Sequence, residues 1–178
     1  MTVTECYAEL LLLGNDREAP AYNRYLSFLP RAVAAVRKIK PYTKILHVGC
    51  PGGEPPYTFD MTAYAADFLG FGAGGVFPPV PYRTDGGQVL TVYAPFRELA
   101  VTYIPSLPVY TEEDRDAEIP LDDELEQLLI LYLGYALFYD DDSEFALRCL
   151  QDYRSLAGTL MAERLPARTS ETIMRNGW

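Results

Sequence analysis

Clustered carboxylates are the first residues here whose chemistry invites a reading. Asp140, Asp141, Asp142 and Glu144 crowd around Ser143, and grouped carboxylates can hold Ca²⁺ or Mg²⁺. Their order is not that of a calcium-binding helix–loop–helix, which needs a glycine at the sixth loop position. A polar turn that supplies the N-cap of a following helix accounts for the run. Glu112-Glu113-Asp114 and Asp122-Asp123-Glu124 offer the paired carboxylates of glycosidic chemistry. Acids gathered at a helix start, where they meet the positive end of its dipole, are the simpler explanation. Cys50 follows His47 closely, a nucleophile-and-base spacing with no third group to orient it. Gly49-Cys50-Pro51-Gly52-Gly53 has the glycines of a phosphate cradle, but no Lys-Ser/Thr follows and prolines crowd its far side. It reads as a plain loop.

His47 is the sole histidine, and the three cysteines, Cys6, Cys50 and Cys149, are scattered. Such a set makes neither a disulfide framework nor a zinc site. A single histidine without partners also argues against a Ser-His-Asp triad. The thiols read as reduced and buried. No catalytic constellation emerges, so an enzyme is not expected, and neither is a metal or cofactor. Tyr57, Phe59, Tyr64, Phe68, Phe71 and Phe77 offer one binding alternative, an aromatic sugar-binding face on a β-sandwich.

The elements that must position these residues follow from composition. The chain has 178 residues, 49% hydrophobic and 22% charged, which suits one domain or one domain with a sizeable insertion. Lys+Arg is 15 against Asp+Glu 25, a net charge of -10, which makes the chain a poor candidate for gripping a phosphate backbone. No apolar run approaches a membrane span and no signal-peptide layout opens the chain; a soluble protein made in a cytoplasm is expected. Tyrosine is abundant, 14 against 8 Phe and 1 Trp, as on surfaces that meet other proteins.

Residues 45–110 hold 9 of the 13 glycines and 9 of the 14 prolines, while the flanks are rich in Leu, Ala and charge. The order is therefore helix, β segment, helix. Thr2 and Glu5 form a capping box for a helix that Gly14-Asn15 stops. Pro20 is expected in the first turn of a second helix. Its stripe is Tyr22, Tyr25, Leu26, Leu29, Val33, Val36 and Ile39, with Pro30 inside and Pro41 at its end; Arg24, Arg31, Arg37, Lys38 and Lys40 form the other face. Strands are expected at Lys44 to Val48, at Tyr82 to Thr84 and Gln88 to Tyr93 around the hairpin signal Asp85-Gly86-Gly87, and at Glu98 to Ile104. Phe68 to Val76 is assigned to no element. Leu121 to Tyr139 and Glu144 to Arg164 form a helical hairpin, the second helix turning Ala146, Leu147, Leu150, Tyr153, Leu156, Leu160 and Met161 inward. The expected class is α+β: a helical bundle of residues 1–44 and 111–164, a small antiparallel β insertion at 45–110, and an extended C-terminal interaction tail at 165–178. That tail carries Ile173, Met174 and Trp178, residues that seek a surface to cover.

The arrangement resembles the head–tail connector, or adaptor, proteins of tailed-bacteriophage necks. The residues that carry the resemblance are Tyr25 to Lys44, Val101 to Ile104 before Pro105, Ile119 to Leu129, Tyr132 to Asp142 and Ala146 to Tyr153. It implies a structural virion protein without chemistry. Connector subunits form a homo-oligomeric ring, commonly twelvefold, that extends the DNA channel below the portal protein and docks tail or neck proteins. DNA passes without specific binding, no membrane is involved, and the place is the virion's head–tail junction, after synthesis in the host cytoplasm. On that reading Glu112, Glu113, Asp114, Asp116, Asp122, Asp123 and Glu124 are the channel-facing acidic candidates. Ile173, Met174, Trp178, Tyr64, Phe68 and Phe71 are the partner-interface candidates. The alternative is a carbohydrate-binding, or tail- and baseplate-type, β-sandwich module.

Overall fold

The computed structural model describes residues 1–15 and 17–164. Within them the chain is mixed α+β, with four α-helices and two small antiparallel sheets.

The capping box opens α1 (Val3–Gly14) as expected. Thr2 Oγ1 accepts from the Glu5 N–H at 3.2 Å, and Glu5 Oε2 accepts from the Thr2 N–H at 2.7 Å. Two further donors of the first turn, the Val3 and Thr4 N–H groups, bond the carbonyls of Ala117 and Arg115, each at 3.0 Å. A helix start leaves four N–H groups without partners inside the helix. Here all four are answered, and the acidic segment before α3 is strapped across the start of α1. Asn15, at φ 50°, closes the helix.

Helix α2 (Tyr22–Arg37) buries Tyr25, Leu26, Leu29, Val33 and Val36 of the expected stripe, with Pro30 in its interior; Tyr22 is half-buried, and Ile39 lies past the helix end, which comes before Pro41. Pro20 lies outside its first turn, because Ala21 is the N-cap; the Pro20 carbonyl accepts the Tyr7 hydroxyl at 2.7 Å instead. Arg37 also departs from expectation. It is 9% exposed, since its guanidinium finds carbonyl partners inside the molecule.

Helix α3 (Glu126–Phe138) starts later than expected, after a single 3-10 turn at Asp123–Leu125. It buries Leu128, Leu129, Leu131, Leu133, Gly134, Leu137 and Phe138, nearly its whole circumference. A helix apolar on every side must be surrounded, and α1, α2 and α4 (Ser143–Arg164) all pack on it. The α3–α4 hairpin is antiparallel, with Phe138 edge-on to Phe145 at 5.3 Å and Tyr132 to Tyr153 at 5.4 Å. α4 meets α3 along one face only. Leu147 and Met161, expected inside, therefore point outward at 53% and 49% exposed.

Strands β1 (Lys44–Gly49), β6 (Glu98–Pro105) and β3 (Phe68–Phe77) form one sheet in the order β1-β6-β3. Strands β2 (Tyr57–Asp60), β5 (Val89–Val92) and β4 (Tyr82–Asp85) form the other, in the order β2-β5-β4. The expected hairpin joins β4 to β5, with Gly86 and Gly87 at φ 61° and 78°, values that cost glycine little. Strands β2 and β3 had no counterpart among the expected elements. Alternate residues of both sheets, Phe59, Leu90 and Val92 from one and Val48, Leu99 and Val101 from the other, share a single buried cluster. A second cluster, drawn mainly from the four helices, holds Leu10, Leu29, Leu129 and Leu133. Among the described residues, no helix is long and apolar enough to cross a membrane.

Candidate functional site

The seven acidic candidates differ in their partners, and Asp122, Asp123 and Glu124 line one pocket together. Asp122 and Glu124 both pair with Lys40, at the end of the turn after α2. Asp114 closes a turn, accepting from the Thr111 N–H and hydroxyl at 2.7 Å each; those bonds hold its carboxyl below the usual carboxylate range. Asp123 stands beside Glu126 on the rim of a groove between α1 and α3. Glu112, Glu113 and Asp116 are exposed, with no salt-bridge partner among the described residues. Glu112, Glu113, Asp116 and Asp123 therefore have no salt-bridge partner among the described residues, whereas Asp114, Asp122 and Glu124 are tied to neighbouring groups.

The partner-interface candidates also divide. Tyr64 is 51% exposed, its ring 6.1 Å from Phe59. Phe71 is half-buried and edge-on to Phe68 at 5.1 Å. Phe68 is a correction: it is buried, stacked on Tyr103 at 5.4 Å, and belongs to the core between the sheets. Ile173, Met174 and Trp178 lie outside the described residues. Of the aromatics read as a sugar-binding face, Tyr57 and Phe59 are core residues as well. The strand alternation that buries every second residue scatters this set over two faces.

Reduced, buried thiols are expected; Cys6 and Cys149 are buried and Cys50 is not. Burial pushes the Cys6 thiol up to about 11 and raises Cys149 too. Cys50 is half-buried on the loop after β1, where its N–H donates to the Arg97 carbonyl at 3.1 Å. His47 lies on the exposed side of β1, its Nδ1 3.0 Å from Glu98 Oε1. In the 140–144 run, Asp140 pairs with Arg24 at 2.8 Å and Asp142 with Arg17 at 2.9 Å. Asp142 also caps α4 by accepting from the Phe145 N–H at 2.9 Å, and that bond holds its carboxyl below the usual range. Among the described residues no three His, Cys, Asp or Glu side chains come together as metal ligands.

Several features escaped the sequence reading. Leu69 on β3 and Ile45 on β1 are 63% and 64% exposed, beside Phe77, named among the candidate aromatics, at 69%. Arg115 lies over the Tyr22 ring at 5.8 Å, next to a packed trio of Tyr7, Tyr22 and Tyr25 whose centroids are 4.9 to 5.7 Å apart. The trio alone shows that part of the tyrosine excess is structural.

No protein-family model matches the chain, and no curated protein matches it either.

Proposed function

We propose that this chain is a structural virion protein, an adaptor subunit that forms a ring between portal and tail of a tailed bacteriophage. In this reading it extends the DNA channel and docks tail components, and it carries out no reaction. One observation supports it most: a β segment with its own hydrophobic cluster interrupts a helical frame between α2 and α3, the element order of the connector resemblance. The finer architecture belongs to the same proposal: residues 1–44 and 111–164 act as one helical bundle domain, and 45–110 as an inserted β domain. The exposed aromatic and aliphatic residues of the β segment, Tyr64 and Phe77 among them, are then docking surface, and a net charge of -10 keeps passing DNA from sticking.

Native mass spectrometry across a concentration series tests the reading, with copurification on portal protein as its companion. A closed ring of about twelve copies, built by repeating one heterologous contact, is the expected result, on its own or on the portal. A chain that stays monomeric at every concentration and fails to bind portal protein overturns it.

A further inference from the structure

Among the described residues the two sheets end in four edge strands, β1 and β3 in one and β2 and β4 in the other. Three of these edges carry features that discourage pairing with another chain. β3 is broken by two register irregularities. β2 is four residues long, follows Pro55 and Pro56, and ends at Asp60, whose carboxylate caps the next turn. β4 is four residues long, follows Pro78, Pro79 and Pro81, and holds the ion pair Arg83–Asp85 at 2.8 Å. β1 is the exception. Its six residues pair with β6 in unbroken register, from Lys44 opposite Tyr103 to Gly49 opposite Glu98, and contain no proline. Its lysine does not guard the edge either, because Lys44 Nζ is held by Asp67 at 2.7 Å.

The pairing with β6 decides which backbone groups the edge offers. One step beyond Gly49 and Glu98, the Cys50 N–H donates to the Arg97 carbonyl at 3.1 Å. Hydrogen-bonded and non-hydrogen-bonded positions alternate along an antiparallel pair. Leu46 and Val48 therefore bond to β6, while Ile45, His47 and Gly49 turn their N–H and C=O groups away from it. The same three residues lie on the outer face of the sheet, where Ile45 is 64% exposed and the His47 side chain 65%. Leu46 and Val48 face the cluster between the sheets.

We propose that β1 is a self-association edge: two copies join β1 to β1, antiparallel, about a two-fold axis at His47, making one sheet in the order β3-β6-β1-β1-β6-β3. A second copy is the occupant because this edge complements itself. With His47 opposite His47 and Ile45 opposite Gly49, every N–H and C=O that the three residues turn outward meets a partner. Sliding the pair by two residues sets Gly49 against Thr43 or Ile45 against Pro51, outside the strand in either case. On the inner side Leu46 comes opposite Val48, apolar on apolar. Charge is balanced too. Each His47 Nδ1 has Glu98 Oε1 3.0 Å away, so two protonated imidazoles at the axis bring their own counter-ions. One strand, roughly 20 Å long, covers less than the ~800 Å² per partner of a standard interface, so the pair is weak and forms reversibly with concentration. It does not rest on the adaptor reading. A two-fold contact closes at two copies, whereas a ring repeats a heterologous one, so the pair doubles whatever the chain otherwise forms.

Sedimentation equilibrium over a micromolar-to-millimolar series, with amide hydrogen exchange at its two ends, tests this. The expected result is a mass that doubles reversibly. At low concentration the Leu46 and Val48 amides are protected and those of Ile45, His47 and Gly49 exchange freely; at high concentration these three become protected as well. His47→Pro removes an N–H turned away from β6, a change edge strands tolerate. It breaks both bonds at the axis and is expected to weaken association about tenfold or more. His47→Glu keeps the N–H, sets two more carboxylates beside the two of Glu98, and is expected to weaken association similarly. It replaces His47→Pro as the deciding variant should the proline alter the far-ultraviolet dichroism. A mass that never doubles overturns the proposal. So does a doubling that leaves the Ile45, His47 and Gly49 amides exchanging freely, or one that survives the variants, since either places the contact on another surface.

Discussion

Arg37 and Pro120 are joined by two hydrogen bonds: Nε and Nη2 donate to the Pro120 carbonyl at 3.0 and 2.8 Å. The third arm of the same guanidinium, Nη1, donates to the Pro105 carbonyl at 3.0 Å. Arg37 ends α2, Pro105 ends β6, and Pro120 precedes the turn into α3. One side chain therefore ties the helices to the sheets where the chain returns from one to the other. Its fork satisfies two carbonyls that burial would otherwise strand, a task the planar guanidinium suits. The Tyr42 ring lies 5.3 Å from it.

Replacing Arg37 tests that tether. Arg37→Met keeps much of the volume and removes all three donors, leaving both carbonyls unanswered. The expected loss is about 2–4 kcal/mol, read from the urea midpoint. Arg37→Lys recovers only part, because one ammonium nitrogen replaces three nitrogens set apart in a rigid planar fork. A midpoint that both variants leave in place would show that the tether is dispensable.

Gly134 marks where three helices meet. A Cβ there would lie 2.9 Å from Leu13 Cδ2 and 3.1 Å from Cys149 Sγ. The tip of Leu13 can swing aside, so the contact is soft for one methyl. Gly134→Ala also gains about 1 kcal/mol of helix propensity, and the two effects are expected to cancel nearly. Gly134→Leu has no such balance and is expected to cost about 1–3 kcal/mol by overpacking. Thermal unfolding of the two variants separates them; equal melting temperatures would refute the close approach.

These two positions also show what was legible in the sequence. The capping box at Thr2 and Glu5, the α2 stripe and the Asp85-Gly86-Gly87 hairpin are local patterns, each complete within a few residues, and each is present. Arg37 reads as surface charge because its partners, Pro105 and Pro120, are distant in sequence and offer only backbone carbonyls. β3 escaped assignment because its pairing with β6 is broken by irregularities between Phe68 and Gly70 and between Phe71 and Val76. Those breaks, with four glycines in the strand, erase the two-residue alternation. The acidic cluster was plain to see. That Lys40 neutralises Asp122 and Glu124 was not, since a charge pattern does not name long-range partners.

Asp67 holds the β1-β6-β3 sheet from its end. Lys44 Nζ on β1 donates to its Oδ2 at 2.7 Å and the Tyr103 hydroxyl on β6 to its Oδ1 at 2.9 Å. The Lys44 bond, foremost, holds the Asp67 carboxyl below the usual range, and in return the Lys44 ammonium is raised. A lowered carboxylate pKa means the unfolded chain binds more protons in acid. Its stabilisation is complete above the unfolded value of about 3.9 and fades as pH falls through the lower folded value. The raised ammonium contributes fully below about 10.4 and is lost as pH rises through its folded value. Asp67→Asn is therefore expected to lower the urea midpoint at neutral pH, with a gap to the parent chain that closes as acid protonates Asp67. A gap independent of pH would show that charge at Asp67 contributes nothing.

The acidic segment separates stability from channel function. Asp122→Lys with Glu124→Lys sets three cations together at Lys40 and removes both of its partners. The free chain is expected to lose about 1–2 kcal/mol, whatever its function. Glu112→Lys, Glu113→Lys and Asp116→Lys remove no salt bridge among the described residues, and together are expected to change stability by about 0.5 kcal/mol or less. If those three face a DNA channel, particles carrying them hold the genome on new phosphate contacts, and ejection slows in a salt-dependent way. Ejection at the parental rate in low salt, from particles that incorporate the triple variant, would place the three acids on an outer surface where they only keep the chain in solution.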